Sequence, residues 1–328
     1  MKNIHPRRTS KLLVIIGSTA TGKTKLAVKL AHVYDGEIVS ADSRQVYKGM
    51  DIGTGKDLQE YTVGTGHCPV PMKINYHLID VVSPKTEFNL AKYMKLANKA
   101  IKDIQARGKL PILVGGTGLY VQAIIDGYNL SGTKPDKALR SRLEKKSVKQ
   151  LQIILKKLDS SFKEDVKNKR YLIRYIEIVK QTKKPLKQAL TKQESEYDYL
   201  ILGITFPREI INQRIDERLV QRIASENMIK EIKDLHFKTG VSWKRLESFG
   251  LEYKFVSQYL QGKLSLEKMI EKLAIAIHQF AKRQMSWFRR WEKQACPLVP
   301  LSGIGRAGKI KWIKNYSEAR SLIGKWMK

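Results

Sequence analysis

Short apolar runs alternate with amphipathic segments over the first 130 residues. Residues 12–16 are apolar and rich in β-branched side chains, and the run ends at a glycine-containing loop, as buried strands of parallel sheets do. Residues 24–34 then carry apolar side chains at helical spacing. The same reasoning predicts strands at residues 37–40, 76–80 and 110–114 and a helix over residues 90–107. Strands that alternate with helices predict an α/β fold, in which helices cover both faces of a parallel sheet.

The pattern changes after residue 130. Amphipathic helical stretches follow one another, for example around Leu151 and around Leu172, without a convincing strand. A strand is then predicted at residues 199–204, and the chain after Pro207 is mostly helical. This order predicts three parts, namely a first part of the α/β core at residues 1–130, an inserted all-helical domain at residues 131–196, and the remainder of the core with C-terminal helices at residues 197–328.

The net charge of the chain indicates the kind of partner that it binds. The chain has 62 Lys and Arg residues against 31 Asp and Glu residues, which gives a formal net charge of +31 at pH 7. Such an excess favours a polyanion, because each neutralised phosphate releases counterions and strengthens binding. The alternative is a lysine-rich genome that raises the lysine content of every surface. The predicted insertion is basic even within this basic chain.

Cysteine content and hydropathy exclude other classes. The two cysteines, Cys68 and Cys296, are far apart and form no Cys-x-x-Cys or Cys/His cluster, so neither a disulfide framework nor a zinc site is supported. The apolar run at residues 12–16 is too short for a signal peptide or a membrane span. We therefore expect a cytoplasmic protein without a membrane partner, and a monomer.

Residues 17–24 read GSTATGKT and match the G-x-x-x-x-G-K-[ST] phosphate-binding loop (P-loop), with the required strand before and helix after. The loop amides surround phosphates, Lys23 adds a positive charge, and Thr24 offers a hydroxyl to Mg²⁺. Most P-loop ATPases hold Mg²⁺ with an acidic residue after an apolar strand, whereas residues 110–114 lead into Gly-Gly-Thr. This favours the pyrophosphate of another substrate and leaves open whether ATP binds. The predicted phosphate ligands are Gly17, Ser18, Thr19, Ala20, Thr21, Gly22, Lys23 and Thr24.

Asp42 follows the predicted strand at residues 37–40, on the sheet edge where ligands bind in such folds. A carboxylate there can accept a proton from a nucleophile or help to position Mg²⁺. The alternative is that Asp42 only caps the following turn. Both interpretations remain open on the residues alone.

Four segments in chain order resemble the signatures of the tRNA dimethylallyltransferases, also called tRNA isopentenyltransferases. They are the P-loop, residues 41–55 (ADSRQVYKGMDIGTG), residues 114–120 (VGGTGLY) and residues 280–289 (FAKRQMSWFR). The similarity extends from Leu13 to about Trp291. The segments around Asp42 and around Lys282 are specific to that family, whereas the P-loop is not.

The resemblance implies transfer of a dimethylallyl group from dimethylallyl diphosphate to the exocyclic amine of an adenine next to the anticodon of tRNA. It implies that the P-loop holds the diphosphate, with Mg²⁺ as cofactor near Thr24. Lys23 and Arg218 would stabilise the leaving pyrophosphate, Asp42 would be the general base, and Thr117 would line the reaction channel. The residues that it implies in contact with the anticodon arm of tRNA are Asp42, Ser43, Arg44, Gln45, Thr117, Arg140, Arg170, Tyr171, Leu172, Ile173, Arg174, Lys254, Lys282 and Arg283.

The chain departs from the family pattern at several positions. Residues 55–57 read Gly-Lys-Asp where the family usually has Ala-Lys-Pro, and Arg222 stands where it usually has Met. Ser18 replaces a usual Pro, and residues 251–254 and 277–278 also differ. None of these changes removes a residue assigned to the chemistry.

Some assignments and alternatives remain. Residues 61–75 are interpreted as a surface loop and the tail from residue 301 as a basic surface extension. For Trp287, Phe288 and Trp291, core packing is favoured over base stacking. Competing functions are a nucleotide or small-molecule kinase, which shares the P-loop and sheet, and a nucleotide-regulated RNA-binding protein without transferase chemistry.

Overall fold

The structure, a computed structural model, describes residues 10–63, 72–128, 133–163, 165–190, 195–293 and 310–328. A six-stranded parallel sheet lies in the larger of its two compact units. The strands are β1 Ser10–Gly17, β2 Gly36–Ser40, β3 Thr62–Val63, β4 Met72–Lys73, β5 Tyr76–His77, β6 Leu110–Gly115, β7 Tyr197–Ile204 and β8 Lys311–Ile313. Their order in the sheet is β5-β2-β6-β1-β7-β8, while β3 and β4 form a separate antiparallel pair.

The central position of β1 follows from its composition. All five apolar residues at 12–16 are fully buried, and β1 pairs with β6 on one side and with β7 on the other. A strand covered on both faces needs such a continuous apolar run. The strands predicted at residues 37–40, 110–114 and 199–204 are β2, β6 and β7, so the prediction of a parallel α/β sheet is confirmed.

Helices lie between and after these strands. They are α1 Lys23–Val33, α2 Leu90–Ala106, α3 Gly118–Ile125, α4 Lys137–Glu144, α5 Val148–Leu158, α6 Lys169–Thr182, α7 Leu186–Ala189, α8 Arg208–Ala224, α9 Met228–Phe237, α10 Trp243–Ser248, α11 Leu251–Leu260, α12 Leu266–Glu292 and α13 Tyr316–Met327. Asn227, in the left-handed region at φ 62°, separates α8 from α9. In the parts of the chain that the structure covers, no helix is long and apolar enough to cross a membrane.

The chain divides into two compact units. The first consists of residues 1–122, 197–289 and 308–328, and the second of residues 123–196 and 290–307. Within the second unit, α5 packs against α6 through Leu151, Leu155 and Leu172, which are fully buried. The second unit thus has a hydrophobic core of its own between helices.

The tail does not behave as the sequence predicts. Residues 310–328 are part of the first unit, since β8 pairs in parallel with β7 and places Ile313 in the core. From α13, Ala319 and Ile323 are fully buried in the same core. A basic surface extension is therefore wrong for this stretch. Three residues that include a lysine carry too little periodicity to reveal a strand. Residues 301–309 lie outside the described residues.

The segment at residues 61–75 also differs from a plain surface loop. Its described ends pair as β3 and β4, and the amide of Ile74 donates to the carbonyl of Tyr61 at 2.8 Å. Both of those side chains are buried in the core. Residues 64–71, which include Cys68, lie outside the described residues.

Candidate active site

The P-loop joins β1 to α1. Ala20 and Gly22 adopt left-handed backbone conformations, at φ 61° and φ 76°. Such turns direct successive amides toward one point and create a concave anion site at a helix N-terminus. A side chain at Gly17 would place its Cβ 2.7 Å from the carbonyl oxygen of Ile204, so the loop leaves β1 where only glycine fits.

Lys23 and Arg218 contact adjacent residues of this loop. The Lys23 ammonium donates to the carbonyl of Ser18 at 2.7 Å, and Arg218 Nη2, from α8, donates to the hydroxyl of Thr19 at 2.5 Å. Burial lowers the pKa of Lys23 to about 8; nearby Asp42 opposes this effect. Burial also lowers the pKa of Arg218 to about 10, with a further contribution from Arg222. Both side chains are half-buried in the pocket wall.

A polar pocket opens beside the loop in the first unit. Cations and carboxylates face it together, and apolar contacts come from α11 and α12. Its lining includes Thr19, Ala20, Gly22, Lys23, Thr24, Asp42, Arg44, Gln45, Asp57, Glu60, Gly115, Gly116, Arg218, Arg222, Glu252, Phe280 and Gln284. Of the predicted phosphate ligands, Gly17, Ser18 and Thr21 lie behind this surface, and Ser18 and Thr21 are buried.

Asp42 caps a turn and also lines the pocket. Its Oδ1 accepts hydrogen bonds from the amides of Arg44 at 2.8 Å and Gln45 at 3.3 Å, which is a turn cap. It also lines the pocket that contains Lys23. Capping engages Oδ1, and Oδ2 accepts no hydrogen bond from any residue that the structure describes. The cap therefore orients the carboxylate without using both oxygens.

Thr117 supports the turn that carries Asp42. The amide of Thr117 donates to the carbonyl of Ala41 at 3.2 Å, and its hydroxyl oxygen accepts from the amide of Ser43 at 3.1 Å. The pocket surface beside it is formed by the backbone of Gly115 and Gly116. Thr117 thus supports the Asp42 turn and follows the two glycines that line the pocket.

Gln284 is a site residue to which the sequence analysis assigns no role. On α12, its Oε1 accepts from the amide of Thr19 at 2.8 Å, and its Nε2 donates to the carbonyl of Gly116 at 3.0 Å. A Cβ at Gly116 would collide with this amide. Gln284 therefore ties the P-loop to the end of β6. The signal was present, because Gln284 belongs to the Lys-Arg-Gln segment, but its buried position depends on how α12 packs.

The predicted tRNA contacts in the first unit vary in exposure. Arg44 pairs with Glu252 at 3.3 Å and lies over the ring of Phe280. Gln45 donates to the carbonyl of Gly55 at 2.9 Å. Three other predicted contacts are exposed cations, namely Lys254, Lys282 and Arg283.

In the second unit, two predicted contacts hold a buried carboxylate. Arg140 donates to Glu177 Oε2 at 2.7 Å and Arg174 donates to the same oxygen at 2.5 Å. Burial alone would raise the pKa of Glu177, but these hydrogen bonds more than offset it, so the pKa is lowered. Leu172 and Ile173 are buried, so their side chains are not available to an RNA at this surface. Arg170 is exposed and Tyr171 half-buried, which leaves them accessible.

Two aromatic residues of α12 and two histidines make contacts within the protein. Phe288 and Trp291 are buried, as core packing predicts. His77 and His278 hydrogen-bond to Glu37 at 2.7 Å and to Asp216 at 2.8 Å. No group of three or more His, Cys, Asp or Glu residues within the described ranges is placed to hold a metal.

The oxygens of the site nevertheless suit Mg²⁺. Thr24 lies in the first turn of α1 and lines the same pocket as Asp42. Magnesium binds few protein groups and completes its coordination with phosphate oxygens and water, so a dense carboxylate cluster is not required. The residues present therefore fit an ion carried in with a diphosphate.

The chain is similar to known proteins along most of its length. A family model described as IPP transferase matches residues 45–291, and one described as isopentenyl transferase matches residues 10–68. The chain is 46% identical to tRNA dimethylallyltransferase 2 of Treponema denticola over 92% of this chain and 95% of that protein. It is 42% identical to tRNA dimethylallyltransferase 1 of Syntrophus aciditrophicus, over 89% and 93%.

Solved structures are similar as well. The tRNA isopentenylpyrophosphate transferase of Bacillus halodurans superimposes with a TM-score of 0.65 at 32% identity, covering 97% of both chains. A eukaryotic dimethylallyltransferase described as acting on tRNA gives a TM-score of 0.75 at 25% identity, covering 96% of this chain and 78% of that one. With a family model matched over residues 45–291 and relatives above 40% identity along most of its length, this chain belongs to the IPP transferase family of tRNA dimethylallyltransferases.

Proposed function

We propose that this protein transfers a dimethylallyl group from dimethylallyl diphosphate to the exocyclic amine of an adenine beside the anticodon of tRNA, releasing diphosphate. The observation that carries the proposal is the convergence of Lys23, Arg218 and Asp42 on one pocket beside the P-loop. The printed names of the relatives, and of a structural neighbour that acts on tRNA, support the same reaction. A cytoplasmic monomer remains the state predicted from the sequence.

The leaving group defines the first half of the mechanism. When the allylic C–O bond breaks, negative charge develops on the diphosphate. Lys23 and Arg218 line the pocket beside the loop amides, so these groups can stabilise that charge. Thr24 would hold Mg²⁺, which supplies further positive charge to the phosphate oxygens.

Proton removal defines the second half. The exocyclic amine of adenine is a poor nucleophile, and its proton must leave as the new C–N bond forms. Asp42 Oδ1 is held by two amides, so the carboxylate has a fixed orientation toward the pocket. A base positioned in this way accelerates proton transfer. The target adenine must leave its stack to reach the carboxylate, which is easiest in an anticodon loop.

Charge supports binding of tRNA. The net charge of +31 favours a polyanion, and phosphate contacts supply most of its affinity. We assign part of this binding to the helical second unit, where Lys167 and Arg170 are exposed at the start of α6. Arg140 and Arg174 are engaged by Glu177, so they shape that surface while Lys167 and Arg170 meet the phosphates.

The reaction itself is tested by its product. Unmodified tRNA incubated with the protein, Mg²⁺ and dimethylallyl diphosphate should yield a dimethylallyl-adenosine nucleoside in mass spectrometry after digestion. Fragment analysis should place it next to the anticodon. Release of phosphate from ATP without any tRNA product would instead support a kinase or ATPase and refute the transferase.

Asp42→Asn tests the general base. The amide keeps the size and can still accept the capping hydrogen bonds, but it cannot take the proton. We expect the single-turnover rate to fall by roughly 10²–10⁴-fold, while affinities for tRNA and donor change less than about tenfold. Asp103→Asn, an exposed change on α2, is the matched control and should be neutral. A single-turnover rate near that of the wild type would leave Asp42 only its role as a turn cap.

Lys23 predicts a pH dependence of donor binding. Its pKa is lowered to about 8, so the ammonium is present below that pH and is lost as the pH rises through it. Affinity for dimethylallyl diphosphate, measured by calorimetry from pH 6.5 to 9.5, should therefore weaken above pH 8. In Lys23→Arg the charge persists, so this alkaline weakening should disappear even if affinity at pH 7 falls. Lys29→Arg, exposed on the same helix, should keep the wild-type profile; persistence of the weakening in Lys23→Arg would assign it to another group.

Lys167 and Arg170 test the RNA surface of the second unit. Replacing both with Gln should reduce the slope of log affinity for tRNA against log salt concentration by about 1.5, since each lost phosphate contact removes about 0.7–0.9. Lys95→Gln with Lys99→Gln, exposed on α2, removes the same charge and should leave the slope nearly unchanged. Equal slopes in both double variants would mean that α6 does not meet the phosphates.

A further inference from the structure

Arg222 lies one helical turn after Arg218 on α8 and lines the same pocket. It is 4% exposed, so its guanidinium is buried. Nη2 reaches Asp57 Oδ1 at 3.3 Å and Oδ2 at 3.5 Å. Within the part of the chain that the structure describes, Nε donates no hydrogen bond and lies 3.8 Å from Glu226 Oε2.

This guanidinium is incompletely satisfied. Charge-assisted hydrogen bonds between arginine and carboxylate usually measure about 2.7–2.9 Å and are often bidentate, whereas a single nitrogen of Arg222 makes both long contacts. A buried charge without full hydrogen bonding is costly. The Asp57 carboxylate is one-third exposed and thus able to move away. Arg222 is therefore arranged to accept another anion.

The neighbouring backbone makes room for it. Gly55 adopts φ +63°, and a Cβ there would lie 2.7 Å from Arg222 Nη2, so this position accommodates the guanidinium only as glycine. The carbonyl of Gly55 accepts from the side-chain Nε2 of Gln45, and the backbone amide of Gln45 donates to Asp42 Oδ1. Positions 55, 57 and 222, at which the chain departs from the family pattern, thus contact one another. They form one set beside the Asp42 turn.

Arg222 and Asp57 lie close enough to Arg218 to act on its charge. Burial is the main cause of the lowered pKa of Arg218, and the charge of Arg222 is the next. Asp57 and Glu60 act on Arg218 in the opposite direction. Because Arg218 contacts the P-loop at Thr19, Arg222 lies within electrostatic range of an anion bound there. Two guanidinium groups one helical turn apart, Arg222 buried and Arg218 half-buried, are stabilised by a multiply charged ligand.

We propose that Arg222 is a second guanidinium that binds the diphosphate of the prenyl donor, and that Asp57 holds it in the pocket until the donor displaces the carboxylate. This inference rests on the proposed function, since it takes the pocket as the donor site. Arg222 then shares the charge of the diphosphate with Lys23 and Arg218. Replacing it should affect donor and product diphosphate, and leave tRNA binding alone.

Binding of inorganic pyrophosphate and of dimethylallyl diphosphate to the full chain with Mg²⁺, measured by calorimetry, provides the test. Arg222→Met keeps the volume and should weaken both by about tenfold to a hundredfold, since hydrogen bonds to charged groups are lost. Arg222→Lys keeps the positive charge but lacks the planar guanidinium, so its affinities should lie between those of Arg222→Met and the wild type. Asp57→Asn should tighten both ligands severalfold, because the competing carboxylate is gone.

Arg214→Met removes the same charge from an exposed position of α8 and is the matched control, expected to bind both ligands as the wild type does. Thermal unfolding of each variant checks the fold, and Met in place of a buried arginine is often tolerated. When Asp57→Asn is combined with Arg222→Met, it should increase the affinity for both ligands less than it does in the wild type. The reason is that no guanidinium remains for Asp57 to hold. A tightening of the same size in both backgrounds would show that Asp57 acts only through its field and would overturn its holding role.

A purely structural ion pair gives a different outcome. Arg222→Met and Asp57→Asn would then both lower the unfolding temperature and would shift pyrophosphate binding in the same direction or leave it unchanged. If the wild type binds pyrophosphate and Arg222→Met binds it equally well, this inference fails and the proposed function stands. If the wild type binds neither pyrophosphate nor the donor, the proposed function fails and the inference with it.

Discussion

Close approach of backbone segments at the carboxyl edge of the sheet is the constraint on which the site depends. Gly17 leaves β1 against the carbonyl of Ile204, and Gly116 leaves β6 against the amide of Gln284. A side chain at either position would separate these segments. The P-loop, the Asp42 turn and helix α12 lie close together there because Gly17 and Gly116 have no Cβ. The positions of the charged groups in the pocket depend on this close packing.

Charge balance within the pocket follows from burial. Lys23 and Arg218 both have lowered pKa values because burial removes water from them. Asp42 and Glu60 partly offset this effect on the pKa of Lys23, and Glu252, Asp57 and Glu60 partly offset it on the pKa of Arg218. The pKa of Glu60 is itself raised, mainly by burial and then by Asp57. Such a pocket holds cations that are only partly neutralised. The electrostatic free energy of such a pocket falls when an anion enters it.

The helical second unit uses charge in another way. Glu177 is fully buried between Arg140 and Arg174, and both arginines are oriented by this carboxylate. Arg140 and Arg174, which the sequence predicts as RNA contacts, therefore stabilise the fold of the second unit. The exposed cations near them, such as Arg170, face solvent on the same helix α6. Helix α6 thus has cations that hold a buried carboxylate and cations that are exposed to solvent.

The sequence by itself determined the parallel sheet, the P-loop and the family, because continuous apolar runs, glycine spacing and short motifs are local properties of residues 12–24 and 41–55. Only the tertiary structure decided the rest. β8 is three residues long and becomes a strand because the edge of β7 is there to pair with. Gln284 and Arg222 reach the pocket because α12 and α8 pack beside the sheet edge, and such contacts join residues more than 150 positions apart. Local sequence patterns carry no information about contacts between residues so far apart in the sequence.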